Sequence, residues 1–90
     1  TRRSSDLSMI NVKVLFISKV QEYAGEEMAF FQLPDSADIA HLFQELTIQK
    51  PALNEVVKFL FVSVNDEMSP RNRALEDGDE VRLFFRMGGG

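Results

Sequence analysis

Leu75-Glu-Asp-Gly-Asp-Glu-Val-Arg-Leu-Phe-Phe-Arg-Met-Gly-Gly-Gly90 is the stretch on which the fold turns. Asp77-Gly78 is a tight-turn pair, because glycine adopts the positive φ such turns need and aspartate tolerates it. Glu80–Phe85 follows at once and is rich in the β-branched and aromatic residues that suit a pleated surface, so the turn feeds a final strand. Neighbouring strand side chains point to opposite faces, so Phe84 or Phe85 must leave the core side. Only Arg86 and Met87 then precede Gly88, Gly89 and Gly90, and the tail is expected to project from the sheet edge. Helices and strands have no use for three successive glycines, and a chain end gains no turn from them. Their bland reading is a flexible or added end. Their functional reading is a tail that, lacking Cβ atoms, threads a narrow tunnel in a partner enzyme and presents the Gly90 carboxylate beyond it. A carboxylate is a poor electrophile until one oxygen becomes a leaving group, so the tail calls for an ATP-using partner that forms an acyl-adenylate.

Working back from that tail, Phe59–Val64 is a buried-type apolar run ending in the turn pair Asn65-Asp66, and it reads as another strand. Ser69 to Ala74 is polar and irregular, and Pro51 to Lys58 carries no clear period. Ile39, Leu42, Phe43 and Leu46 recur at helical spacing, with Ser36 or Asp35 placed to cap and Asp38 near the positive end. This main helix should stop before Pro51, whose ring disfavours helical geometry at Lys50. Glu27 to Leu33 reads as a strand that returns beside Asn11–Ser18, with a short helix over Lys19–Ala24 stopped by Gly25. In Asn11–Ser18 the residues Val12, Val14 and Phe16 alternate inward, while Leu15 and Ile17 make the opposite face apolar where water is usual. Residues 1–8 show no period and read as a flexible leader, native or added, ahead of regular patterning at Met9.

Ninety residues suffice for one domain with one core, to which eight phenylalanines contribute much volume. No apolar run approaches a membrane span and the N-terminal residues do not read as a secretory signal, so a soluble cytoplasmic protein is expected, with no membrane partner. The chain has no cysteine and a single histidine, His41, which leaves no disulfide, thiolate or cysteine metal site. A net charge of −4 with scattered basic residues argues against nucleic acid as a partner. Asp77-Gly78-Asp79-Glu80 offers carboxylates and a glycine as calcium loops do, but a strand follows too soon for that ligand spacing. His41 reads as a solvated helix residue, and Glu22, Glu26, Glu27, Asp66 and Glu67 read as solubilising charges.

Four pieces of the chain, in their order and spacing, resemble the ubiquitin-like sulfur carriers, and within them the small subunits of molybdopterin synthase. They are Val12-Lys13-Val14-Leu15-Phe16 with the short helix ending at Ala24-Gly25, then Val64-Asn65-Asp66-Glu67, then Leu75 to Val81, and the terminal Gly89-Gly90. The resemblance spans nearly all of Met9 to Gly90. It implies an α+β, ubiquitin-like β-grasp domain over residues 9–85, a mixed sheet of four to five strands on one main helix, and a glycine tail over residues 86–90. It also implies a ubiquitin-activating-type enzyme that adenylates Gly90 with ATP and magnesium, and a sulfurtransferase whose sulfur converts the adenylate to a thiocarboxylate. The chain itself would bind no cofactor or metal and would carry no catalytic side chain.

The partner implied for the charged tail is the large subunit of molybdopterin synthase, which uses the sulfur to build the dithiolene of molybdopterin. Local alignment puts the family's docking patch on Ile17, Met68 and Phe85, with Arg86, Met87 and Gly88 entering the partner and Gly89 beside the reacting Gly90. Synthase subunits commonly place a proline-containing segment before the diglycine, where this chain has Arg86-Met87 and an extra glycine. Carriers for thiamin synthesis or transfer-RNA thiolation therefore stay open, as does a modifier that joins the same glycine to lysines. An interaction module with incidental glycines is the remaining reading.

Overall fold

The computed structural model describes residues 9–85; the leader (1–8) and the tail (86–90) lie outside the described residues. The chain runs β1 (Met9–Phe16), α1 (Val20–Ala24), β2 (Met28–Pro34), α2 (Ile39–Gln49), two 3₁₀ turns (Pro51–Glu55 and Val57–Phe59), β3 (Leu60–Val64), β4 (Glu67–Met68) and β5 (Glu80–Phe85). The strands form one five-stranded sheet in the order β2-β1-β5-β3-β4. β1 and β5 are parallel, and the remaining neighbours are antiparallel. The last strand in sequence is thus the middle strand in space. Phe85 ends this central strand, with β1 and β3 on either side, while the tail expected to project from the sheet edge lies outside the described residues.

The core follows from the two periodicities. Val12, Val14 and Phe16 of β1, Phe31 and Leu33 of β2, Leu60, Val62 and Val64 of β3, and Val81 and Leu83 of β5 are buried on one sheet face. The helix α2 covers that face with Ile39, Leu42, Phe43 and Leu46, all buried. Each such side chain contributes roughly 1.5–3 kcal/mol by leaving water. The cap of α2 is Asp38, whose side chain accepts from the His41 backbone N–H at 2.9 Å, rather than Ser36 or Asp35. Asp38 has the extended backbone of an N-cap (φ −119°), so its carboxylate reaches the free amide three residues on. At the other end the Lys50 ammonium pairs with Glu26 and lies 5.9 Å from the centre of the Phe16 ring. The region before β3, patternless in sequence, winds as two 3₁₀ turns that bury Leu53.

The tight turns fall where the sequence puts them. Gly25 stops α1 at φ 81°, and Gly78 turns the chain at φ 87°. Asn65 and Asp66 both take positive φ, 52° and 71°, which is the type I′ geometry that suits the twist of a two-residue hairpin.

Candidate functional site

Three rows of side chains cross the sheet face that α2 leaves open. The middle row is fixed by strand register: Met28 opposite Leu15, Leu15 beside Arg82, Arg82 opposite Ser63, and Ser63 opposite Met68. It touches every strand. A second row holds Ile17, Phe84 and Phe61. Ile17 donates its backbone N–H to Leu83 at 3.0 Å, which sets it beside Phe84, and the Phe84 and Phe61 rings meet edge to face at 6.1 Å. The third row pairs Phe30, 67% exposed, with Lys13 and Glu80. Leu15, Ile17, Met68 and Phe84, with Ser63, Asp66 and Arg82, line an open hollow of about 470 Å³ on this face. Contiguous apolar surface of this kind on so small a domain makes the face a candidate docking surface.

Of the residues expected to dock a partner, the structure brings Ile17 and Met68 to this hollow and does not bring Phe85 there. Phe85 continues the alternation of Val81 and Leu83, packs against the core, and meets the Tyr23 ring edge to face at 5.9 Å. Phe84 takes the outward position. The pattern Val81, Leu83, Phe85 carries this in the sequence, once the helix-facing residues of β5 are read as the odd-numbered set. Leu15 was flagged by the same alternation; Met28, Phe30 and Phe61 join the face only through register. Arg86, Met87, Gly88, Gly89 and Gly90 lie outside the described residues.

Charge on the face is arranged as a chain. Lys13 Nζ lies 3.9 Å from Glu80, Glu80 lies 3.4 Å from Arg82, and Arg82 Nη1 donates to Asp66 Oδ1 at 2.6 Å. Signs alternate and sum to zero. The face therefore offers a partner little net charge, and these solvated pairs add at most about 1 kcal/mol each to folding. Among the described residues, no three His, Asp or Glu side chains are grouped to hold a metal ion. No helix there is long and apolar enough to cross a membrane.

A separate hub fixes the strand that leads to the tail. Asp79, 8% exposed, accepts from Asn65 Nδ2 at 3.0 Å and from the Glu76 backbone N–H at 2.9 Å, and Arg73 Nη1 stands 3.9 Å away. Asn65 in turn holds the Glu80 backbone from both sides: its N–H donates to the Glu80 carbonyl, and its Oδ1 accepts from the Glu80 N–H. Asp77 Oδ1 accepts from the Asn11 N–H, and the Gly78 N–H donates to the Asn11 carbonyl. The acidic turn that resembles a calcium loop spends its carboxylates on protein donors. It ties β1, the β3–β4 turn and β5 together.

A mixed sheet on one main helix, with the last strand central and the far face open, defines a ubiquitin-like β-grasp protein. The small archaeal modifier protein 1 of Haloferax volcanii has this fold, with a TM-score of 0.81, 23% identity, and coverage of 89% of this chain and 99% of its own. The chain belongs to the ThiS family, whose model matches residues 14–90. The molybdopterin synthase sulfur carrier subunit of Chlamydomonas reinhardtii is 35% identical over 83 residues, 90% of this chain and 100% of that one. A chain in the complex of subunits 1 and 2 of the molybdopterin-converting factor of Helicobacter pylori is 26% identical, with a TM-score of 0.65 and coverage of 90% and 100%. The expected resemblance, in family and in fold, is borne out.

Proposed function

We propose that this chain is a sulfur carrier and the small subunit of a molybdopterin synthase, with the Gly90 carboxylate as its working group. The observation that carries the reading is identity to the Chlamydomonas sulfur carrier subunit along that protein's whole length. The apolar sheet face supports it, since a carrier without catalytic side chains must be recognised by its surface. In the reaction, a Gly90 carboxylate oxygen attacks the α-phosphorus of ATP on a ubiquitin-activating-type enzyme, and pyrophosphate leaves. The outer sulfur of a sulfurtransferase persulfide then displaces AMP to give an acyl disulfide, and a thiol cleaves its S–S bond, becoming a disulfide and leaving the thiocarboxylate. ATP and magnesium belong to the activating enzyme. The large synthase subunit, docked on the open face, takes the sulfur for the dithiolene of molybdopterin.

The test is intact mass spectrometry after incubation with a host cytosolic extract, ATP and a sulfur donor, beside a variant lacking Gly89 and Gly90. The expected result is exchange of one oxygen for sulfur, mapped to the C-terminal peptide and absent from the variant. Conjugates to lysines of other proteins would instead make the chain a modifier. A chain left unchanged in mass would be a plain binding module.

A further inference from the structure

Met28 and Met68 stand at the two ends of the row that crosses the whole open face, 39% and 62% exposed. Both lie on edge strands, β2 and β4, so no neighbouring strand shields their outer side. The chain contains no cysteine, so its methionine thioethers are the side-chain sulfurs open to oxidation. Between them lie Leu15, Arg82 and Ser63, and the hollow that Met68 lines includes Ile17 and Phe84. A polar group added at either end would be pressed against an apolar contact on docking.

We infer that Met28 and Met68 form a reversible oxidation site, at which peroxides convert the thioethers to sulfoxides and withdraw this face from the large synthase subunit. The inference rests on the docking role proposed above for the same face. A thioether lone pair attacks one peroxide oxygen, the S–O bond forms as the O–O bond breaks, and the second oxygen leaves as water after taking the displaced proton. Sulfur loses two electrons and the peroxide gains them. A sulfoxide reductase reverses the step with a dithiol, which becomes a disulfide as the oxygen leaves as water. The occupant has to be a partner with an apolar complement, because the charges on the face already neutralise one another. A flexible apolar thioether suits such a contact, whereas a sulfoxide brings an acceptor that the apolar complement leaves unpaired.

The experiment uses the full chain and measures its Kd for the large synthase subunit by titration calorimetry before peroxide treatment, after it, and after methionine sulfoxide reductase with a dithiol. Peptide mass mapping assigns the added oxygens, and circular dichroism confirms that the oxidised chain keeps its fold. The Met28→Leu/Met68→Leu double variant receives the same treatment. Met87→Leu is added to both chains, since that position is expected to enter the partner; Met9, kept in both and 41% exposed, is the internal control for oxidation, and leucine preserves the volume. Loss of affinity of about tenfold or more on oxidation, reversed by the reductase and absent from the double variant, is the expected result. Unchanged affinity with Met28 and Met68 mapped as sulfoxides overturns the inference alone. Equal loss in the double variant, or unfolding of the oxidised chain, overturns it as well. Failure of the untreated chain to bind overturns the docking reading and the inference with it.

Discussion

Asn65 and Asp79 meet side chain to side chain, Nδ2 to Oδ1 at 3.0 Å, and join the β3–β4 turn to the segment entering the central strand. Asp79 also holds the Glu76 amide and faces Arg73, whose buried Nη1 has no hydrogen-bond partner among the described residues. Replacing Asp79 by alanine strands two donors and leaves the guanidinium without its carboxylate, at a cost of about 2–3 kcal/mol. Thermal unfolding should drop by roughly 10–20 °C in a domain of this size. Asp79→Asn retains one acceptor and should lose about half as much.

Phe84 and Phe85 are adjacent and separate two properties. Phe85→Ala removes packing against the core and Tyr23, and should cost about 2 kcal/mol of stability, less than a fully buried phenylalanine because the ring is partly exposed. Phe84→Ala lies on the open face and should cost under about 1 kcal/mol of stability. It should nonetheless weaken binding of the large synthase subunit by about tenfold or more, as loss of a central aromatic anchor does. Paired chemical denaturation and titration of the two variants measure both effects.

Gly78 has open space where a Cβ would stand, so any cost of substitution comes from its φ of 87° alone. Gly78→Ala should destabilise by about 1–2 kcal/mol. Gly78→Asn should recover part of that, because asparagine tolerates left-handed backbone. If the two substitutions proved equally costly in urea melts, the loss would lie in the Gly78 amide bond to Asn11 rather than in backbone preference.

The strands and the main helix were legible because their apolar residues keep strict periods: Val12, Val14 and Phe16 at two, Ile39, Leu42, Phe43 and Leu46 at helical spacing. The turns were legible because Gly25, Asn65-Asp66 and Gly78 sit where positive φ is needed. Pro51 to Phe59 was not, since its 3₁₀ turns bury little beyond Leu53 and follow tertiary contact rather than pattern. One strand of that contact is Arg71, which donates to the Val57 carbonyl at 2.7 Å while its guanidinium lies 4.5 Å from the centre of the Phe43 ring. The helix cap was misassigned among Asp35, Ser36 and Asp38 because each is a competent acceptor and only the backbone angle chooses. The open face was half legible. Alternation exposed Leu15 and Ile17, and the run Val81, Leu83, Phe85 already turns Phe84 outward, but that Met28 and Phe61 join the face depends on register between strands far apart in sequence.

Arg82 lies in the middle of the open face, paired with Asp66 at 2.6 Å and Glu80 at 3.4 Å. In the free protein these groups stay wet, so Arg82→Gln should change stability by under about 1 kcal/mol. Docking would bury them, and an ion chain that enters an interface already neutral avoids an unpaired charge. With Arg82 gone, Glu80 keeps Lys13 but Asp66 would be desolvated without a cation, which should weaken binding of the large subunit by about 2 kcal/mol, roughly thirtyfold in Kd. Adding Asp66→Asn to Arg82→Gln should restore part of that affinity, since it removes the stranded anion. The same cycle measured on folding stability should show almost no coupling. Coupling in Kd without coupling in stability is the expected pattern in titrations at low and moderate salt, and an Arg82→Gln Kd equal to that of the parent chain would place the charged chain outside the docked area.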